Sequence, residues 1–266
     1  MVWGSPGRKG HHRVVFDDRE RASSFGDDAE RYDRSRPGYP AELLDDLLAD
    51  DPRLVVDVGC GTGIVALLLG ARGCTVVGVE PDDRMAAVAR RKGIEVEVAR
   101  FEDWNPRGRK FDLLTSGQAW HWVNPAIGAE KAADVLRPGA SFAVFWNGLR
   151  HGDEVAAGFQ RIYGRLAPHL LVDSVALGTA QPTGAPDEDA FVVSGKFVDL
   201  KRRSYNWTRR YSTNQWLDEL PTHSGHRVLP PGLLEAILVE VEAMLEPLGG
   251  EITVNYRTAG LFGCRR

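Results

Sequence analysis

The chain has 266 residues, with 33 Lys and Arg against 37 Asp and Glu, a formal net charge of −4 at pH 7 and an apolar fraction of 43%. That length holds one large domain or one and a half, and that apolar fraction supplies a sizeable core. The slight acidic balance argues against a general nucleic-acid binder, which shows a basic excess. The absence of any long apolar run argues against a membrane span.

Residues 1–20 read as a poorly ordered leader, rich in Gly, His and Arg and without the apolar stretch of a signal peptide. Residues 25–32 look helical, and Arg36-Pro37-Gly38-Tyr39-Pro40 reads as a turn. Leu43, Leu44, Leu47 and Leu48 then recur at helical spacing to about residue 50. Strands and helices alternate from there. Strands are expected at 54–58, 75–79, 95–99, 111–115 and 141–146. The helix over 64–71 is apolar nearly all round and should be buried. Asp82 caps a helix that runs to Lys92 and stops at Gly93. Asn124-Pro125 supplies a cap and a first-turn proline for a helix ending at Arg137-Pro138-Gly139. This rhythm implies a parallel sheet covered on both faces.

After Asn147 the rhythm breaks. Helices are expected at 151–171, 213–220 and 231–248, a loop at 178–190, a strand with alternating charge at 197–211 and a last strand at 252–262. No internal repeat is visible. The three cysteines, Cys60, Cys74 and Cys264, fit no disulfide framework or metal cage. The expectation is therefore a soluble protein in a reducing, cytoplasmic setting, with no metal.

Residues 55–63, Val-Val-Asp-Val-Gly-Cys-Gly-Thr-Gly, carry the most information. An apolar run ends in an acid, three alternating glycines follow, and a helix begins. Glycines allow a backbone to approach a ligand closely, and the helix start offers unpaired amides. A nicotinamide-binding turn has the form G-x-G-x-x-G, but Ile64 stands where its third glycine belongs. Asp57, two residues before Gly59, suits a ligand with a cationic or hydroxylated part better than a pyrophosphate.

This segment resembles the first motif of the class I S-adenosylmethionine-dependent methyltransferases, in their small-molecule, type 11-like branch. Val76-Val77-Gly78-Val79-Glu80-Pro81-Asp82 resembles the second motif, and Leu136-Arg137-Pro138-Gly139-Ala140 resembles the turn before the family's fifth strand. The resemblance covers about residues 30–148 and weakly the C-terminus. It implies an α/β fold: a Rossmann-like, mostly parallel sheet of seven strands with the last antiparallel, helices on both faces, and an α-rich substrate lid. The cofactor-binding core is expected over 21–149 and 231–266, and the lid over 150–230 together with part of the late sheet.

The same resemblance assigns the cofactor, S-adenosyl-L-methionine, to loops beyond the carboxyl ends of the strands, where open α/β sheets hold ligands. Asp57, Gly59, Cys60, Gly61 and Gly63 are expected at its amino-acid part. Glu80 suits the ribose hydroxyls through charge-assisted hydrogen bonds, with Pro81 and Met85 flanking adenine. The loop after strand three usually carries an acid for the adenine amino group; here Arg100 stands in that position, and Phe101 and Glu102 are the substitutes. Ser116 and Gln118 are expected near the methionine moiety. Tyr32 and Arg36 resemble an N-terminal "Y…RP.YP" element of small-molecule members, and Arg36 suits the cofactor carboxylate because of its planar fork.

Trp120-His121-Trp122 follows strand four, where the family holds its methyl acceptor. The tryptophans either shape an acceptor pocket and meet the sulfonium by cation–π attraction, or pack the lid. His121 is either a general base, with an unperturbed pKa near neutrality, or a structural histidine. Trp146 and His223 complete the expected acceptor contacts, His223 lying in a polar cluster, Thr222-His223-Ser224-Gly225-His226, that also suits a loop or capping role. The implied activity is in-line methyl transfer to a small-molecule acceptor, in a monomer or homodimer, without nucleic acid or membrane. The alternative is a catalytically silent S-adenosylmethionine-binding sensor or partner protein.

Overall fold

The computed structural model describes residues 24–171, 176–178 and 188–266; the expected leader and most of the expected loop at 178–190 lie outside them. Strands β1 (Leu54–Val58), β2 (Thr75–Glu80), β3 (Glu95–Val98), β4 (Phe111–Gly117), β5 (Leu136–His151), β6 (Phe197–Ser212) and β7 (Glu251–Arg265) form one sheet in the order β3-β2-β1-β4-β5-β7-β6. β7 is antiparallel to both of its neighbours, and every other pairing is parallel. This is the expected Rossmann-like methyltransferase sheet.

The central strands alternate between two apolar layers, as a two-residue side-chain period requires. Val55, Val76, Leu113 and Phe145 face helices α2 (Ala41–Leu47) and α3 (Ile64–Gly70), which contribute Leu43, Leu47, Val65 and Leu69. Val56, Val77, Leu114 and Val144 face the other side, where α5 (Pro125–Val135) brings Ala129, Ala132 and Val135. The helix starts follow the sequence. The Asp82 side chain accepts from Arg84 N (2.9 Å) to cap α4 (Asp83–Arg91), and Asn124 accepts from Ile127 N (3.2 Å) ahead of Pro125.

Three long strands carry the second half of the molecule. β5, β6 and β7 run 16, 16 and 15 residues. Their far halves project beyond the carboxyl edge of the sheet and take a second core. Leu149, Tyr211, Val254 and Tyr256 pack there with Phe159 and Tyr163 of α6 (Asp153–Leu166), Trp216 of α8 (Thr213–Glu219) and Ile237 and Val241 of α10 (Pro231–Leu245). α10, expected with the cofactor-binding half, thus packs in the second core. Helix α1 (Ala29–Ser35) bridges the two halves. Lys92 pairs with Asp33 (2.5 Å), Arg91 pairs with Glu30, and Arg31 and Arg34 both bond Asp218 of α8 (2.9 and 2.7 Å).

Two expectations change. The turn at Arg137-Pro138-Gly139 lies inside β5 as a register irregularity between the pairs Phe111↔Leu136 and Leu113↔Ser141, with Gly139 at φ 80°. β5 then passes Trp146 because β7 continues to pair with it as far as His151. The second change is α7 (Glu188–Ser194), which begins in the stretch read as a loop. Its Phe191 stacks on Phe142 (4.3 Å) and Trp120 (5.5 Å) and closes the core on the α5 side. The acidic residues in front of Phe191 mask this single anchor in the sequence.

Candidate cofactor and acceptor site

A recess opens at the carboxyl ends of β1 and β4. Tyr32, Arg36 and Tyr39 line it from the N-terminal side, Asp57 and residues 59–62 from the glycine turn, and Gly117, Gln118 and Asn147 from the sheet. Gly59 has φ +66°, and a Cβ there would stand 2.4 Å from the Ala119 Cβ, so no other residue closes this turn. The Gly61 N–H donates to Glu80 Oε2 (2.9 Å), and the Asp82 N–H donates to Glu80 Oε1 (3.0 Å). Glu80 is thereby clamped at the end of β2, with its carboxylate against the turn. Met85 is buried under Gly61, its Cε 3.4 Å from where a Gly61 Cβ would stand. Gly63 opens α3, and a Cβ there would meet Ala89 at 3.2 Å, so it serves helix packing. The Cys60 thiol fills the space over Gly78.

The electrostatics are uneven. Asp57 is buried, its Oδ1 accepts from Thr115 Oγ1 (2.8 Å), and its Oδ2 has no hydrogen-bond partner. Burial, with a contribution from the nearby Glu80 charge, pushes its pKa up to about 7. Burial likewise pushes Glu80 up to about 7 against the opposing pull of its two backbone donors. Of the residues lining the recess, Asp57 is the one acid and Arg36 the one base. An unpartnered buried carboxylate oxygen calls for a cation or donor. Arg36, its side chain 13% exposed, offers the opposite charge across the same recess.

Several expected site residues lie elsewhere. The Ser116 hydroxyl donates to Val58 O (2.8 Å) between the strands, so Gly117 and Gln118 alone reach the recess from β4. Phe101 is buried in the core, against Trp104 (6.2 Å) and Trp120 (5.8 Å). Glu102 accepts from Asn124 N (2.8 Å) and Arg100 Nη2 (3.1 Å), tying down the start of α5. Pro81 is exposed beside the clamp of Glu80. Trp120 is buried against Phe191 and does not face the recess.

Trp122 is half-buried and meets Phe25 edge-on (6.4 Å), and Phe25 in turn meets Tyr32 (5.9 Å). Trp146 is buried, and its Nε1–H donates to His121 Nδ1 (3.0 Å). That bond occupies the Nδ1 lone pair. Neutral His121 therefore carries its proton on Nε2, and the lone pair that a general base needs is committed at Nδ1.

His223, four residues past the end of α8, has both Glu219 oxygens at 2.9 Å from its Nε2, and both its ring nitrogens are 3.3 Å from Arg36 Nη1. Glu219 Oε1 is 3.4 Å from the same Nη1. Burial lowers the His223 pKa. Burial alone would raise Glu219, but His223 and Arg36 beside it hold it below the usual carboxylate value. Thr222 donates to Glu219 O (2.6 Å), and His226 bonds the Tyr163 hydroxyl (2.7 Å), so within the polar cluster these two side chains are held by neighbouring groups. Tyr39, Asn147 and Glu219 were not singled out in the sequence. Tyr39 belongs to the same short element as Arg36, and Asn147 directly follows β5's central run; Glu219 carries no comparable signal. Among the described residues, no group of three or more His, Cys, Asp or Glu is placed to hold a metal, and no helix is long and apolar enough to cross a membrane.

Comparison with known proteins agrees with this geometry. A family model described as a methyltransferase domain matches residues 56–144. An uncharacterized methyltransferase of Mycobacterium tuberculosis is 32% identical over 216 residues, covering 80% of this chain and 81% of that protein. The trans-aconitate 2-methyltransferase of Mycolicibacterium gilvum is 35% identical over 92 residues, 34% of this chain and 35% of that one. A solved structure from Anaeromyxobacter dehalogenans, assigned as a type II methyltransferase, superposes with a TM-score of 0.64 at 24% identity over 86% of this chain and 97% of that one. The chain belongs to the class I S-adenosylmethionine-dependent methyltransferases. Its own residues fit that cofactor: a glycine turn, an acid at the end of β2, and a recess lined by an acid with an unpartnered oxygen and by one cation.

Proposed function

We propose that the protein transfers the methyl group of S-adenosylmethionine to a small-molecule acceptor held beneath the lid. The observation that carries this reading is the recess with Asp57 and Arg36 as its opposed charges, which complements the ammonium and carboxylate of the cofactor's amino-acid end. Glu80 accepts the ribose hydroxyls, Met85 borders the adenine, and Gln118 and the Gly61 backbone fix the chain between. When bound, the cofactor supplies a methyl group already activated on sulfonium sulfur. The protein's own contribution is orientation and a dry site.

Calorimetry tests the binding half. S-adenosylmethionine and S-adenosylhomocysteine are expected to bind, and NADH is not. NADH binding without heat from either S-adenosyl compound would refute the reading.

The acceptor nucleophile is one that needs no proton removed, such as a carboxylate. Support comes from His121, whose Nδ1 is committed to Trp146, and from His223, whose nitrogens face Glu219 and Arg36. The similarity to trans-aconitate 2-methyltransferases, enzymes named for an acid, points the same way, although it spans only about a third of each chain. His121 then serves to hold Trp146 through its Nδ1, with Trp122 beside it. His121→Ala is expected to lower turnover by about tenfold or less, with the same fall at every pH from about 6 to 8; loss of a base would cost about 10²–10⁴-fold. The measurement is labelled-methyl transfer into a metabolite extract, followed by turnover on the acceptor it identifies. A binding protein without catalysis would transfer no label.

A further inference from the structure

Arg36 lines the recess and also meets the lid. Arg36 leaves α1 at its C-terminal end, and its guanidinium lies between the recess and the buried end of α8. On the lid side, Nη1 meets Glu219 Oε1 at 3.4 Å and the His223 ring at 3.3 Å. On the other flank, the guanidinium lies over the Tyr32 ring, 5.3 Å from its centroid. Glu219 itself is 1% exposed and is fixed by His223. The adjacent acid, Asp218, takes Arg31 and Arg34 of the same N-terminal helix. Consecutive acids of the lid thus grip three arginines of one short segment, two on the surface and one at the recess.

A guanidinium has five donors in a rigid fork. Glu219 and His223 engage the Nη1 side, which leaves Nε and Nη2 as the donors for a planar acceptor in the recess. We propose that Glu219, fixed by His223, is a positioning residue that orients the Arg36 fork and thereby makes the recess select nucleosides that carry a carboxylate. This rests on the reading that Arg36 holds the carboxylate of the cofactor's amino-acid end. It makes cofactor selection depend on the lid, a part of the chain remote in sequence from the glycine turn.

The test is binding of two ligands by calorimetry: S-adenosylhomocysteine, and 5′-methylthioadenosine, which has the same nucleoside without the amino-acid end. Glu219→Gln is expected to weaken S-adenosylhomocysteine by about tenfold, the effect of one charged hydrogen bond, and to leave methylthioadenosine unchanged. A merely structural role would weaken both ligands alike, and that result overturns the proposal. Unchanged or tighter S-adenosylhomocysteine binding also overturns it, because Glu219 would then only offset the Arg36 charge. Arg36→Ala separates the inference from its basis: if this variant keeps full S-adenosylhomocysteine affinity, Arg36 does not hold the carboxylate and the underlying reading fails. If Arg36→Ala loses affinity and Glu219→Gln does not, only the positioning role fails. Should Glu219→Gln not fold, His223→Ala frees the same carboxylate without removing it, and the same selective loss is expected.

Discussion

Glu80→Ala is expected to weaken S-adenosylhomocysteine binding by about tenfold to a hundredfold, because hydrogen bonds to a charged group are worth about 1.5–3 kcal/mol. Each Glu80 oxygen accepts one backbone N–H, from Gly61 or from Asp82. Those bonds hold the carboxylate at the end of β2 with lone pairs still available to ligand hydroxyls. The change removes the acceptor and loosens the glycine turn together. The melting temperature of the unliganded protein should move little, because two effects oppose. The Gly61 and Asp82 N–H groups lose their partner, and a buried carboxyl whose pKa burial has pushed up to about 7 no longer has to be accommodated. Titration calorimetry and thermal melts, run on the same preparation, read both quantities. Undiminished affinity in the variant would place the ligand away from β2.

The cofactor half was legible because its chemistry is local. β1 spans Leu54–Val58 as expected, since a continuous apolar run bounded by glycines suits a strand buried on both faces. Asp82 and Asn124 cap the helices they precede. What a sequence conceals is the direction a side chain takes at the end of a strand. Trp120, His121 and Trp122 are consecutive, but a single 3-10 turn sends Trp120 into the core with Phe191 and leaves Trp122 beside Phe25. Ser116 and Gly117 are neighbours, and the strand period turns the Ser116 hydroxyl to Val58 O while Gly117 borders the recess. The lid was harder because its contacts are long-range. Arg36 and Glu219 are 183 residues apart, and only the projection of β5, β6 and β7 past the sheet brings them together. The same projection explains why α10 packs with Phe159 and Trp216 rather than on the central strands.

The pH dependence of binding should run opposite to the contribution that Asp57 and Glu80 make to stability. Burial pushes both Asp57 and Glu80 up to about 7, whereas in an unfolded chain they titrate near about 4. Between those values the folded protein holds protons that the unfolded chain has released. The contribution of these two carboxylates to stability therefore falls as pH rises from about 4 to about 7 and is flat above that. Binding has the reverse sign. An ammonium beside Asp57 and hydroxyls donating to Glu80 both favour the ionised carboxylates, so binding releases protons within the same window. The Kd for S-adenosylhomocysteine is expected to fall by about tenfold or more between about pH 5.5 and 7.5 and then level off. His151 and His226, pushed down by burial to about 4 and about 3, stay neutral in the folded protein and add no slope to binding; in the unfolded chain they titrate at about 6.5, so below that value they make stability rise with pH and oppose the carboxylates. Asp57→Asn supplies the control. It should bind more weakly at pH 7.5, lose part of the pH slope, and stabilise the unliganded protein relative to wild type more at pH 7.5 than at pH 5.5. Calorimetry in two buffers of different ionisation enthalpy counts the protons released. Proton uptake on binding, or an affinity that rises toward acid, would show that neither carboxylate meets the ligand in its ionised form.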